Sequence, residues 1–308
     1  MDGKNRVVNK KNLIKIIVSA CGMIVIIVIL LLLIGNRSDD EKRNIVHRRQ
    51  WWLKSINWDH DRDTYTGRGI TVAVVDTGVD ENTVEIKDKI KKEISVLDSE
   101  DKGDTTHGTA VCGIIAGTSF TSKGVSGIAD NVSIISVDIT NDKEGIIEVD
   151  DLVEGIQIAI DHKVDIINIS VGCLENSEKL KNVVNEAMHN DIIVVASAGN
   201  YMEDSILYPA AYDSVIAVGG VDKDGERISP VGKLKKSIVY LPGESIVAPI
   251  GNGKYAGCEG TSFSTAMCTG LIALLLEKNN DKESVIEYMK KINLKKTMDF
   301  KEIVSNYP

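Results

Sequence analysis

The sequence predicts an α/β fold: a doubly wound, mostly parallel sheet with helices on both faces, preceded by one transmembrane helix. Three observations predict it. Short runs rich in valine and isoleucine alternate with longer helix-like stretches from residue 70 onward, the pattern of a parallel sheet with crossover helices. The runs are apolar along their whole length, as strands buried on both faces are. Near the N-terminus a charge-free apolar run is long enough to cross a bilayer.

Residues 1–15 read as a short basic cytoplasmic segment, with Lys4, Arg6, Lys10, Lys11 and Lys15 against Asp2. From Ile16 to Gly35 no residue is charged and nearly all are apolar. At a helical rise of about 1.5 Å per residue this run spans a hydrocarbon core of roughly 30 Å. Basic residues ahead of it keep the N-terminus inside, so residues 16–35 form an anchor and the rest of the chain lies outside the cell. The alternative is a cleaved signal and a secreted protein, although no small-x-small site precedes Asn36. Residues 36–49 are polar and charged, an exposed linker. Residues 50–308 form the globular domain.

Strands are expected at Ile70–Val75, Ser133–Ile139, Asp165–Ile169, Ile192–Ala196 and Val215–Val218. Helices are expected at Gly108–Ala116, Val149–Asp161, Ser177–His189 and Ser264–Glu277. Composition agrees with a globular domain, at 43% hydrophobic and 26% charged residues. A net charge of -9, with the basic excess confined to the N-terminal segment, excludes nucleic acid as the partner. Outside the apolar run, Cys112, Cys173, Cys258 and Cys268 have no metal-ligand spacing. Their apolar, glycine-rich surroundings suit free thiols, with a Cys112–Cys268 bridge as the alternative.

In such sheets chemistry collects at the carboxyl ends of strands. There stand Asp76-Thr77-Gly78, Ser170-Val171-Gly172 and Ser197-Ala198-Gly199-Asn200. His107-Gly108-Thr109 opens one helix and Gly260-Thr261-Ser262 another. Each piece alone has a dull explanation as a turn, cap or surface residue. Together, in the order Asp, His, Asn, Ser, they supply an orienting carboxylate, a base, an amide donor and a hydroxyl nucleophile. An aspartic-protease reading of Asp76-Thr77-Gly78 fails, since that mechanism needs a second such carboxylate and no second D-[ST]-G occurs.

VAVVDTGVD, HGTAVCGIIAG, INISVG, VASAGN, YPAAY and GTSFSTAM resemble the successive motifs of the subtilisin family, from about Gln50 to Glu277. The resemblance implies a serine endopeptidase that needs no cofactor for its chemistry. Asp76, His107 and Ser262 would be the triad, and Asn200 with the Ser262 backbone N–H the oxyanion hole. Ser170, Val171 and Gly172 would pair with the substrate backbone, with Gly145 and Ile146 (and Ile147 beside them) on the opposing edge. Ser197, Ala198 and Gly199 would line the pocket for the side chain before the scissile bond, with Tyr201 and Leu207 at its rim or floor. Tyr208-Pro209 falls where the family often has a cis peptide bond.

Calcium sites are common in the family, but the loop 117–124 (GTSFTSKG) lacks acidic residues, and Glu85 alone is a weak ligand set; a structural calcium stays unassigned. No folding prodomain is visible between the apolar run and the domain. A compact, tethered chain of this kind resembles the leader peptidases that mature lantibiotic-type peptides. A general cell-surface or secreted protease is the alternative reading, and a non-catalytic binding module on the same fold the remote one. Acidic residues near the expected cleft, Glu144, Glu148, Asp150, Asp151, Glu203 and Asp204, predict tolerance of basic residues in the substrate.

Overall fold

Side chains along Thr71–Asp76, here strand β1, divide between two cores. Val72 and Val74 face one cluster, Ala73 and Val75 the other, because successive strand residues point to opposite faces. The computed structural model describes residues 50–58, 65–97, 103–119, 124–140, 147–200, 206–228, 236–292 and 299–308. Before β1 lies helix α1 (Trp51–Ser55). After it come β2 (Ile90–Ser95), α2 (Thr106–Ala116), β3 (Ser133–Asp138), α3 (Val149–Asp161), β4 (Ile166–Ile169), α4 (Glu178–His189), β5 (Ile193–Ser197) and β6 (Ile216–Val221). The chain ends with β7 (Ile238–Pro242), β8 (Ile246–Pro249), β9 (Tyr255–Cys258), α5 (Thr261–Lys278), α6 (Lys282–Lys291) and α7 (Phe300–Asn306).

The main sheet has seven strands in the order β2-β3-β1-β4-β5-β6-β7, every neighbouring pair parallel, while β8 and β9 form a separate antiparallel pair. The strand order reverses beside β1, with β3 on one side and β4 on the other, and this is where a doubly wound sheet opens a crevice. Helices α2 and α5 contribute to one core and α3 and α4 to the other, so the predicted two-sided cover is present. The predicted strands and helices recur with ends shifted by up to three residues.

Helix α5 is apolar all round, and its residues from Thr261 to Leu276 are buried. A helix without a polar face belongs in an interior, and α5 touches β4, β5, β6, β7, α2 and α6. Its few polar side chains are hydrogen-bonded within the core. Thr269 Oγ1 donates to Asn168 Oδ1 (2.9 Å), Asn168 Nδ2 donates to Ser170 Oγ (3.1 Å), and Ser170 Oγ donates to the Ser262 carbonyl (3.3 Å). This chain of bonds ties the nucleophile's helix to β4. Thr269→Val keeps the shape but leaves Asn168 Oδ1 without that donor, an expected loss of about 1–3 kcal/mol. Urea unfolding measures it, and Thr269→Ser restores most of the loss.

The chain enters the domain at Gln50, whose side chain exchanges two hydrogen bonds with the Ser126 backbone (2.8 and 2.9 Å). Among the described residues no helix is long and apolar enough to cross a membrane. The run 16–35 and the linker 36–49 lie outside the described residues. Cys112, Cys173, Cys258 and Cys268 are all free. Cys112 and Cys268 are fully buried in one core, and burial pushes both thiols well above the ordinary range. The Cys112–Cys268 bridge is therefore not formed.

Candidate active site

The two motifs Asp76-Thr77-Gly78 and His107-Gly108-Thr109 interlock. Gly108 N donates to Thr77 Oγ1 (3.0 Å), and Asp80 N donates to Thr109 Oγ1 (2.9 Å). A Cβ at Gly108 would lie 2.0 Å from the Gly78 carbonyl oxygen, so no larger residue allows this approach. The result places His107 over Asp76. His107 Nδ1 donates to Asp76 Oδ1 at 2.7 Å, and the same oxygen accepts from Thr77 N at 2.7 Å. Asp76 is 1% exposed, whereas a third of the His107 side chain remains accessible. One imidazole nitrogen is thus fixed by a buried carboxylate.

The Asp76 charge raises the His107 pKa above its ordinary value, burial opposes that, and the nearby Asp104 carboxylate adds to the rise. Asp104 is held by accepting from Thr106 N (2.9 Å). A base must be neutral to accept a proton, so a raised pKa moves the acid limb of kcat/KM upward. Asp104→Asn removes one raising charge, and the limb is expected at lower pH. Because Asp104 is exposed, added salt should shrink the difference between variant and wild type. A pH–rate profile at two ionic strengths checks both statements.

Ser262 is the second residue of α5. Gly260 precedes the helix at φ 137°, a left-handed backbone that glycine alone adopts without strain. The Ser262 hydroxyl donates to the Ser170 carbonyl at 3.0 Å, so in this structure it rests on the neighbouring strand end and not on the imidazole. The next side chain, Phe263, lies against His107 with ring centroids 5.4 Å apart. The base thus packs against the residue that follows the nucleophile on the same helix.

First-turn amides of a helix have no carbonyl of their own helix to bond. Thr261 N is taken by Asn200 Oδ1 (2.9 Å) and Phe263 N by the Gly260 carbonyl (3.3 Å). The Ser262 N–H lies between them, at the positive end of the helix. Asn200 Oδ1 also accepts from Thr261 Oγ1 (3.0 Å). With its oxygen held twice, Asn200 presents its NH₂ as the free end, a second donor for a developing oxyanion.

The structure joins His107 to Asp76, sets His107 against Phe263, and bonds Asn200 to Thr261, the residue before Ser262. Ser170, Val171 and Gly172 follow β4; Ser197 ends β5, and Ala198 and Gly199 follow it. These strands are parallel neighbours, so the two segments leave the sheet side by side, the first of them accepting the Ser262 hydroxyl bond at Ser170. Gly145, Ile146, Tyr201, Glu144, Glu203 and Asp204 lie outside the described residues. Asp150 is paired with Lys179 at 2.8 Å, so its charge is already matched. Sequence reasoning missed Thr261 and Thr269. An alcohol side chain inside an otherwise apolar helix is the signal that could have found them.

Glu85 is buried, and it accepts a hydrogen bond from the Tyr255 hydroxyl. Among the described residues no group of three His, Cys, Asp or Glu side chains converges on a metal position. The Glu85 carboxylate is thus engaged with a protein donor, and residues 120–123 of the loop 117–124 lie outside the described residues.

The chain matches the model of the subtilase family, peptidase S8, over residues 67–299. It is 34% identical over 226 residues to an intracellular serine protease of Paenibacillus polymyxa, covering 70% of this chain and 68% of that protein. It is 35% identical over 222 residues to subtilisin E of Bacillus subtilis (strain 168), covering 70% of this chain but only 57% of that protein. Among solved structures, a cold-adapted subtilisin-like serine proteinase superposes with a TM-score of 0.67 at 25% identity, covering 78% of this chain and 88% of that one.

Proposed function

The chain belongs to the subtilase family of serine endopeptidases, and from that premise we propose that it is a membrane-anchored peptidase maturing an exported peptide. The observation that carries the catalytic part is the 2.7 Å bond from His107 to buried Asp76, formed beside the helix start that bears Ser262.

The geometry supports the following chemistry. On substrate binding Ser262 Oγ leaves the Ser170 carbonyl and attacks the scissile carbonyl carbon, while the free His107 nitrogen takes its proton. Asp76 stabilises the imidazolium and holds its tautomer without itself becoming protonated. The carbonyl oxygen becomes an oxyanion bonded by Asn200 Nδ2 and the Ser262 N–H. His107 returns the proton to the leaving amine as the C–N bond breaks, which leaves an ester on Ser262. Water, deprotonated by the same imidazole, hydrolyses that ester.

The charge-free run 16–35 behind a basic segment supports the anchor and an extracellular position for residues 50–308. The likeness to leader peptidases supports a lantibiotic-type precursor as the substrate. Treatment of membranes from expressing cells with a fluorophosphonate probe tests the catalytic and anchoring parts together. One labelled band should sediment with membranes, resist alkaline extraction and vanish in Ser262→Ala. A band released by alkaline extraction refutes the anchor. Folded protein that takes no label favours a binding module on the same fold.

A further inference from the structure

We propose that Leu207 closes the slot between Gly172 and Gly199, and so restricts the residue ahead of the scissile bond to a small side chain: glycine, alanine or serine. The inference rests on the endopeptidase reading and names the substrate class of the same site.

The slot's position follows from the catalytic atoms. One wall begins at Ser170, whose carbonyl accepts from the Ser262 hydroxyl. The other ends at Gly199, and the next residue is the oxyanion donor Asn200. A carbonyl carbon held between Ser262 Oγ and the Asn200 amide would sit where these two walls meet, and its side chain would be seated between them.

Leu207 already stands there. A Cβ built on Gly172 would lie 2.9 Å from Leu207 Cβ and 3.4 Å from its Cδ1. A Cβ built on Gly199 would lie 2.9 Å from Leu207 Cγ and 3.0 Å from Cδ1. One side chain thus reaches both walls, so tightly that neither accepts a methyl group beside it. The backbone that carries it is bound to each wall. Leu207 N donates to the Ala198 carbonyl (3.1 Å), while Tyr208 and Cys173 exchange both of their bonds, Cys173 N to Tyr208 O at 2.9 Å and Tyr208 N to Cys173 O at 2.8 Å. Ser197 and Ala198 behind it are 4% and 1% exposed. A large side chain entering the slot must displace a leucine whose backbone cannot follow, and overpacking of this kind is costly.

Discrimination of one methylene in an apolar pocket runs at roughly 10- to 200-fold. A leucine-sized obstruction should then disfavour phenylalanine against alanine by about 100-fold or more.

The experiment measures kcat/KM on peptides that differ only in the residue before the cut, namely Gly, Ala, Ser, Leu and Phe. It uses the wild type, Leu207→Ala and Leu207→Gly, each with a fluorophosphonate count of active Ser262. The wild type should favour the small residues by about 100-fold over Phe, and the Phe-to-Ala ratio should rise about tenfold or more in the variants. A ratio taken within one preparation does not depend on the fraction folded. Wild type that cuts after Phe as readily as after Ala overturns the proposal. So does an unchanged ratio in both variants while Ser262 is labelled. No cleavage of any peptide and no label on folded wild type overturns the endopeptidase reading itself.

Discussion

Ser262→Ala is expected to lower kcat about a million-fold, the size of loss measured for the corresponding change in subtilisin, a relative of this chain. In the proposed mechanism the Ser262 oxygen forms the acyl-enzyme, and its neighbours on the helix are not placed to replace it. Ser264 and Thr265 stand on the same helix, but their hydroxyls donate to the Leu241 and Pro242 carbonyls and to the Thr261 carbonyl. His107→Ala should cost about as much, and the double variant little more than either alone, because base and nucleophile act in one step. What survives, about 10³–10⁴ over water, belongs to the oxyanion donors and to substrate binding. Single-turnover assays of freshly purified variants measure these residues of activity. A double variant whose loss equals the product of the two single losses would show that Ser262 and His107 do not act as a pair.

The second large effect belongs to Asn200. Asn200→Leu removes an amide donor from the oxyanion and is expected to lower kcat by about 10²–10³ with KM nearly unchanged; this magnitude also comes from subtilisin. The split between kcat and KM follows because the oxyanion forms only after attack, so the ground state does not feel the loss. Asn200→Asp should be worse still. It keeps an acceptor for Thr261 N and Oγ1 but sets a negative charge against the developing oxyanion. Steady-state kinetics on one good substrate decides both, and a rise in KM at constant kcat would place Asn200 in ground-state binding instead.

Much of this site was legible before any coordinates. Asp76, His107, Asn200 and Ser262 lie in motifs whose small residues have local reasons, such as the close approach of Gly108 to Gly78 and the left-handed backbone of Gly260. Strands β1 and β3 to β6 announced themselves as uninterrupted Val/Ile runs, because a central parallel strand is buried on both faces. Strand β2 did not. Its sequence IKKEIS lies at the sheet edge and is half exposed, so it carries charges where the central strands carry valine. The β8–β9 hairpin was hidden by its short strands and turn-rich sequence, and helix α6 went unassigned although Asp281 caps it. Contacts between distant segments were beyond reach. The resting place of the Ser262 hydroxyl on Ser170, and the wedge of Leu207 between two glycines, depend on how loops from different strands meet.

The burial of α5 has one more consequence. A catalytic hydroxyl carried on a surface loop can be lost by local fraying while the rest of a protein stays intact. Here it sits on the first turn of a helix buried from Thr261 to Leu276, so the interior amides of that helix are expected to be among the slowest of the domain to exchange with solvent. Fraying at the edges of the domain should therefore leave the nucleophile's helix in place. The enzyme's working lifetime is then expected to follow the unfolding rate of the domain.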